Sequence, residues 1–316
     1  MSGGPLPLDG RVVIVTGAGR GIGRAHARQV AANGARVVAN DVVGADDVVE
    51  AIRANGGEAT GHQGDIGTWD GAGSLVQAAI DQFGRLDGLV NNAGVLRRAD
   101  VADLDEEALD LELRVNLKGA FACTHHACRY WRAENRSGRR PQAAVVHTTS
   151  DTLFTASPGG SGYAATKAGI VALAQSASLE GHHYGVRHNV VAPSGRTPMA
   201  TSSGLLAMDG DVPHPEYQDT GAPDNPVHNS PLVVWLLSPS SAHVSGQVFR
   251  LRHGAFARMA RVRSEEWQTP PDGGPRWEVD EINEAMNAYV FGSRFPAPLR
   301  EVPGQPSVPF SRLDHR

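Results

Sequence analysis

A short β-branched run followed by a glycine loop constrains the fold of this chain more than any other stretch. Residues 11–16 (RVVIVT) are too few for a helix and predict a buried strand. The loop Gly17–Gly23 has the spacing Gly-x-x-x-Gly-x-Gly, and a helical pattern then continues to Asn33. Strand, glycine loop and helix in this order predict a dinucleotide site, because such a backbone can approach a pyrophosphate at the helix N-terminus. A glycine-rich turn without a ligand is the alternative.

Strand and helix patterns alternate along most of the chain. Further strands are predicted over residues 35–40, 58–63, 87–90, 143–149, 185–192 and 245–251. Helices are predicted over residues 45–54, 68–83, 103–135, 163–181 and 231–238. This order predicts the α/β class, with a Rossmann-like, doubly wound parallel sheet of about seven strands and helices on both faces.

The pattern also predicts how the chain is divided. Residues 8–254 would form a single catalytic domain, and residues 255–316 a C-terminal extension that packs on it. Residues 200–228 are rich in Gly, Pro, Asp and His and have little periodicity. A stretch this long without regular structure in a compact domain predicts a functional lid.

Polar and small residues follow the predicted strands, at the sheet edge where such folds bind ligands. Asp41 ends the second strand, where a carboxylate would bind the adenosine ribose and repel a 2′-phosphate, which favours NAD over NADP. Asp41 could instead cap the following helix. Arg20, in the glycine loop, could attract the 2′-phosphate. The turn that begins at Asn91 suits close approach of a cofactor, although Asn91 alone could equally brace the central strand.

A tyrosine and a lysine four residues apart carry the predicted chemistry. Tyr163 and Lys167 share one helix face, so the ammonium is expected to lower the pKa of the phenol and make it an acid/base. Ser150 ends a strand-like run, from which its hydroxyl could reach the same substrate oxygen. Asn116 lies within a helical pattern, where it could hold a water linked to Lys167 or be purely structural. A Tyr-x-x-x-Lys pair alone also occurs by chance.

Bulk composition excludes several classes of function. The chain has 316 residues, is 41% hydrophobic and carries a net charge of −5, so nothing predicts binding to nucleic acid. No signal peptide and no apolar run of about 20 residues is visible, which argues against membrane association and favours a cytoplasmic protein. Cys123 and Cys128 lie on different helix faces, so neither a disulfide nor a metal site is predicted.

Taken together and in order, these motifs resemble the short-chain dehydrogenase/reductase family. The resemblance rests on Thr16-Gly17-x-x-x-Gly21-x-Gly23, Asp65, Asn91-Asn92-Ala93-Gly94, Asn116, Ser150, Tyr163-x-x-x-Lys167 and the 193–197 loop. It implies that Tyr163 is the acid/base, Lys167 assists it, Ser150 positions the substrate oxygen and Asn116 holds a proton-relay water. The implied cofactor-binding residues are Gly17, Arg20, Gly21, Ile22, Gly23, Asp41, Asp65, Ile66, Asn92, Ala93, Gly94, Tyr163, Lys167, Pro193 and Thr197.

Within that family the chain looks most like (3R)-hydroxyacyl-CoA and hydroxysteroid dehydrogenases. It departs from the family at Ser194, where glycine is usual, and at His188, where a small apolar residue is usual. The expected activity is NAD-dependent interconversion of a bulky secondary alcohol and a ketone. The alternatives are an NADPH-dependent ketone reductase and a catalytically idle NAD-binding regulator. The resemblance also implies a homodimer or homotetramer, whose helices would pack through residues 103–135 and the small side chains of Ala164, Ala168 and Ala172.

Overall fold

A computed structural model describes residues 6–155, 158–195, 197, 199, 225–252 and 254–259 of the chain. The chain divides into two compact units, residues 1–259 and 260–316, and the second lies outside the described residues. Residues 200–224 of the predicted lid also lie outside them. The lid and the extension that packs on the domain therefore stay predictions.

One eight-stranded sheet forms the centre of the described unit. Its strands run in the order β3-β2-β1-β4-β5-β6-β7-β8, and β1 to β7 are parallel. The strands are β1 Val12–Thr16, β2 Arg36–Asp41, β3 Glu58–Gln63, β4 Gly88–Asn91, β5 Ala143–Thr148, β6 Val186–Ala192, β7 Val248–Arg252 and β8 Ala255–Arg258. Because the chain order reverses between β1 and β4, the carboxyl ends of these two strands border a crevice in which such folds bind ligands.

Helices cover both faces of the sheet, as predicted. They are α1 Gly21–Ala32, α2 Ala45–Ala54, α3 Trp69–Phe83, α4 Glu106–Glu112, α5 Ala120–Arg136, α6 Thr152–Thr155, α7 Ser161–His182 and α8 Ser230–Leu237. Alternate residues of β1 enter different cores: Val13 and Val15 pack with α1, α2 and α8, whereas Val12 and Ile14 pack with α3 and α5. These two apolar layers fix the sheet and thereby the loops at its edge.

One antiparallel strand, β8, adds to the seven parallel strands that were predicted. β8 pairs antiparallel with β7, and Arg252 and Ala255 face each other across the turn. All four residues of β8 are exposed, so the strand has no alternation of buried and exposed residues by which sequence could reveal it. It lies within residues 255–316, the predicted extension, and continues the sheet of the main domain.

The predicted helix over residues 103–135 is found as a continuous helical run from Glu106 to Arg136, but it is not α-helical throughout. A π-helical stretch, Leu113–Gly119, separates α4 from α5. A π turn widens the helix by one residue, and apolar periodicity over a few turns does not distinguish it from an α-helix. Such turns are rare and occur mostly at functional sites. This one contains Asn116 and brings its side chain against the loop after β4.

Candidate active site

The glycine loop between β1 and α1 packs against the turn after β4. Gly17 has φ 65°, and a Cβ built on it would lie 2.8 Å from Ala93 Cα. A Cβ on Gly23 would collide with the Gly17 carbonyl oxygen and with Asn92 Nδ2. Gly21 also has a positive φ, 58°, and its Cβ position is 3.6 Å from Thr197 Cγ2. The loop is thus a backbone surface at a helix N-terminus, which is the geometry that dinucleotide phosphates require.

Hydrogen bonds hold the ends of β1 and β4 together. The Thr16 hydroxyl accepts from the backbone N–H groups of Asn92 (3.0 Å) and Ala93 (3.1 Å), and Asn92 Nδ2 donates to the Thr16 carbonyl (3.0 Å). Asn91 points the other way and donates to Thr124 Oγ1 on α5 (2.9 Å). Asn91 therefore braces the strand, whereas Asn92 and Ala93 border the crevice.

Two carboxylates stand at the ends of β2 and β3, where the adenosine half of a dinucleotide would lie. Asp41 accepts hydrogen bonds from the N–H groups of Gly19 (2.9 Å) and Val42 (2.8 Å), so it is tied to the glycine loop. Asp65 forms an ion pair with Arg114 of the π-helical stretch and accepts from the Gly67 N–H. Burial raises the pKa of Asp65, but these two contacts outweigh it and the net pKa is lowered.

The remaining predicted cofactor residues lie around the same crevice. Arg20 is exposed at the start of α1, and Ile66 is buried against Gly119. Pro193 is half-buried in the loop after β6. The next residue, Ser194, is held by Asn229, whose side chain accepts from its N–H (3.2 Å) and donates to its carbonyl (2.8 Å).

Tyr163 and Lys167 lie in the first two turns of α7, facing the loop after β5. Lys167 Nζ donates to the Thr148 carbonyl (3.0 Å) and lies 5.4 Å from the centre of the Tyr163 ring. Ser150 lies in that loop, two residues beyond the end of β5, and its hydroxyl accepts from the Thr152 N–H (3.3 Å). The predicted tyrosine, lysine and serine are therefore brought together.

Burial changes the pKa values of both catalytic candidates. Burial raises the pKa of Tyr163 to about 12, although a hydrogen bond to Ser150 lowers it; the charge of Glu112 raises it further. Burial lowers the pKa of Lys167 to about 8. The expected net lowering of the phenol pKa is therefore not found for these residues by themselves, since desolvation disfavours the phenolate and the ammonium alike.

Asn116 is fully buried beneath the same crevice. Its side chain accepts from the Val95 N–H (2.7 Å) and donates to the Val95 carbonyl (2.9 Å) and to Thr166 Oγ1 (3.1 Å). A Cβ built on Gly94 would lie 3.2 Å from Asn116 Oδ1 and 3.4 Å from Lys167 Nζ. The amide and the ammonium therefore border the same glycine, while the water predicted between them stays a prediction.

Sequence reasoning missed two contacts next to these residues. Asp151, which follows Ser150, forms a two-fold ion pair with Arg250 of β7, both N–O distances being 2.9 Å. Glu112 is fully buried and accepts from the Arg97 N–H (2.7 Å). No signal in the sequence marked Glu112, because it stands in the acidic run 105–112 beside exposed residues.

The part of the chain that the structure describes contains no group of three or more His, Cys, Asp or Glu side chains that could hold a metal ion. In the same residues, no helix combines the length and the apolar character needed to cross a membrane. Cys123 and Cys128 are free, and His125 and His126 pack on Trp69.

A glycine cradle at the first βα turn and a Ser–Tyr–Lys set at the same edge of the sheet define a nicotinamide-dependent oxidoreductase. The family model "short chain dehydrogenase" matches residues 11–204. The chain belongs to the short-chain dehydrogenase/reductase family, whose enzymes act on CH–OH donors with a nicotinamide cofactor. The cradle and Asp41 fit such a cofactor, because the uncapped N-terminus of α1 and a carboxylate at the end of β2 are the groups that bind its pyrophosphate and its adenosine ribose.

Curated relatives place the chain close to hydroxyacyl-CoA dehydrogenases. Hydroxyacyl-CoA dehydrogenase ChsB1 from Mycobacterium tuberculosis is 36% identical over 294 residues, covering 90% of each chain. Peroxisomal multifunctional enzyme type 2 from Mus musculus is 33% identical over 272 residues, covering 82% of this chain and 34% of that protein. The crystal structure of a short chain dehydrogenase from Mycobacterium avium superposes with a TM-score of 0.80 at 37% identity, covering 92% of this chain and 98% of that one.

Proposed function

We propose that the protein oxidises the hydroxyl of a 3-hydroxyacyl-CoA, or of a similarly bulky secondary alcohol such as a hydroxysteroid, with NAD as cofactor. The arrangement of Ser150, Tyr163 and Lys167 beside the glycine cradle carries the proposal of alcohol chemistry. The acyl-CoA part is supported by the similarity to relatives named hydroxyacyl-CoA dehydrogenase and multifunctional enzyme.

Each catalytic side chain has a defined task in this proposal. Ser150 holds the substrate oxygen, and Tyr163 takes its proton as the carbon–hydrogen bond breaks. The oxidised nicotinamide supplies the hydride acceptor and a positive ring that favours the phenolate. Lys167 and Asn116, which both border Gly94, would pass the proton of the phenol on to solvent and so return Tyr163 to its charged form. In the reverse reaction, the reduction of the ketone, Tyr163 would donate its proton to the substrate oxygen.

Asp41 supports NAD as the cofactor. Its carboxylate is fixed at the end of β2 by the Gly19 N–H, where it would accept from ribose hydroxyls and repel a 2′-phosphate. Arg20 favours the alternative, an NADPH-dependent ketone reductase. So does a 3-oxoacyl-[acyl-carrier-protein] reductase from Synechocystis, 32% identical over 251 residues, covering 78% of this chain and 97% of that protein. Titrating the protein with NADH and NADPH distinguishes the two, and tighter binding of NADPH would contradict the role given to Asp41.

The activity is tested by following reduced nicotinamide with a panel of alcohols. The expected result is turnover with 3-hydroxyacyl-CoA thioesters or hydroxysteroids and NAD, and little turnover with short alcohols. Turnover of short alcohols alone would contradict the bulky substrate. Binding of NAD without turnover of any member of the panel would instead support the idle NAD-binding regulator.

Oligomeric state and location belong to the same proposal. The exposed apolar side chains of Phe121 on α5 and Leu179 on α7 support packing between subunits, in a homodimer or homotetramer. Size-exclusion chromatography with light scattering gives the subunit number directly. The cytoplasmic location stays a prediction from the sequence, and several relatives are named as peroxisomal enzymes.

A further inference from the structure

Glu112 is the most deeply buried carboxylate among the described residues, with no exposed surface. It is the last residue of α4 and directly precedes the π-helical stretch that carries Asn116. Ionisable carboxylates are almost never fully buried unless they are paired, because desolvation is costly. The chemistry assigned to Ser150, Tyr163 and Lys167 does not use this group, so its burial needs another explanation.

The two carboxyl oxygens of Glu112 face two different segments. Oε1 accepts the backbone N–H of Arg97, in the loop that continues from Gly94 (2.7 Å). Oε2 is buried and has no hydrogen-bond partner among the described residues. A Cβ built on Gly162 would lie 2.6 Å from Oε2, so only glycine leaves room for the carboxylate there. Gly162 directly precedes Tyr163 in the first turn of α7.

We propose that Glu112 is a positioning residue for Tyr163: its carboxylate joins the loop after Gly94 to the first turn of α7 and places a negative charge beside the phenol. The proposal rests on the role given to Tyr163 under the proposed function. It adds a residue of α4, outside the Ser–Tyr–Lys set, that decides where the phenol lies and at which pH it ionises.

The charges around Glu112 are consistent with this role. Burial raises the pKa of Glu112, and the N–H and the charge of Arg97 reduce that rise without cancelling it. The N-terminal end of α7, a helix of 22 residues, also favours a negative charge beside its first turn. On α7 the titratable group that the charge of Glu112 reaches is Tyr163. Burial raises the pKa of Tyr163, the hydrogen bond to Ser150 lowers it and the charge of Glu112 raises it, so the two groups are electrostatically linked.

The variant Glu112→Gln tests the charge. Gln keeps the size and an oxygen acceptor for the Arg97 N–H but removes the charge. The Tyr163 pKa should then fall, and the acidic limb of kcat/KM for alcohol oxidation should move to lower pH. Glu107→Gln, an exposed residue on the same helix, is the matched control and should leave the profile unchanged. A Glu112→Gln profile that superimposes on the wild-type profile would overturn the electrostatic part of the proposal.

The contact between Glu112 and Gly162 is tested by a double-mutant cycle that combines Gly162→Ala with Glu112→Ala. Gly162→Ala should lower kcat/KM about 100-fold, because the methyl group displaces Glu112 or the turn that carries Tyr163. In a Glu112→Ala background the nearest atom is removed and Leu104 Cδ2, 3.0 Å away, becomes the nearest neighbour, so the same change should cost only a few-fold more. Equal losses in the two backgrounds would show that Glu112 does not set the position of the turn.

A third readout does not depend on activity. The Arg97 amide should exchange with solvent faster in Glu112→Leu than in wild type, and at the wild-type rate in Glu112→Gln, since only Leu removes the acceptor. Unchanged exchange in Glu112→Leu would contradict the hydrogen bond that joins the loop to α4.

The variant Tyr163→Phe distinguishes failure of the proposed function from failure of the role given to Glu112. Full activity of that variant overturns the proposed function itself, whereas its inactivity together with wild-type behaviour of the Glu112 variants overturns this inference alone.

Discussion

Around the glycine loop, Gly17 and Gly23 lie so close to Ala93, Asn92 and each other that no Cβ fits between them. Around Tyr163 the closest neighbours are side chains instead, and several of them ionise. Lys167, Glu112 and Asn116 are all buried there, and burial shifts the pKa values of Tyr163, Lys167 and Glu112. The half of the active site around the glycine loop therefore depends on backbone shape, and the half around Tyr163 depends on buried charge.

This difference decides how each half responds to change. The backbone shape of the loop depends on glycines at fixed spacing, so adding one Cβ at such a glycine disrupts that shape at any pH. Buried charge depends on partners from distant parts of the chain, so it responds to pH and to uncharged replacements of the same size. The following variants test this contrast, in order of decreasing expected effect. The catalytic tyrosine is treated last.

Gly23→Ala is expected to have the largest effect. Its methyl group would collide with the Gly17 carbonyl oxygen and Asn92 Nδ2, which displaces the loop. Overpacking of this kind costs about 1–3 kcal/mol, or roughly a five- to 150-fold loss of nucleotide affinity, at every pH. Fluorescence titration with NADH measures it. Gly56→Ala, at a position with φ 79° and nothing within 4 Å, should cost stability but not affinity. Wild-type affinity in Gly23→Ala would contradict the cradle.

Asp151→Asn should have an intermediate effect. It breaks the paired hydrogen bonds with Arg250 that hold the segment after Ser150 to β7. Loosening this half-buried contact costs about 1 kcal/mol, so kcat should fall roughly fivefold while NADH affinity is kept. Glu134→Gln breaks the exposed pair with Arg139, far from the site, and should leave kcat unchanged. Equal kcat values for Asp151→Asn and Glu134→Gln would show that the ion pair does not position Ser150.

His188→Val should leave turnover nearly unchanged and alter acid stability. His188 and His147 are buried in contact within the core, with ring nitrogens 3.3 Å apart, and burial lowers the pKa of His188 to about 4. The unfolded chain binds the proton near pH 6.5, so wild type loses stability as the pH falls from about 6.5 to about 4. Over that pH window, the free energy of unfolding of the variant should fall by up to about 3 kcal/mol less than that of wild type, as measured by urea unfolding. An identical pH dependence would show that His188 is charged or solvated in the fold.

The sequence was sufficient for the half that depends on backbone shape. The strand before Gly17, the glycine spacing and the helix to Asn33 predicted both the fold and the cradle. The parallel sheet was predicted because its buried strands are β-branched runs. The π-helical stretch around Asn116 was missed, because the shift that one extra residue causes in the apolar pattern is too small to be recognised over a few turns. Strand β8 was missed because none of its residues is buried.

The half that depends on buried charge could be predicted only in part. Tyr163 and Lys167 are four residues apart, so their proximity could be predicted from the spacing. Their pKa values could not, because these depend on burial and on Glu112, which lies 51 positions before Tyr163 in the chain. Glu112 occurs in the acidic run 105–112, where it resembles the exposed residues beside it. Only the packing of α4 against α7 separates it from them.

The most direct test of the account is the turnover of Tyr163→Phe measured beside its affinity for NAD. Phe keeps the ring packed against Lys167 and removes only the hydroxyl that would exchange the substrate proton. The account predicts NAD affinity within about twofold of wild type and a fall in kcat of about a thousandfold. A kcat close to that of wild type, with NAD bound normally, would contradict it.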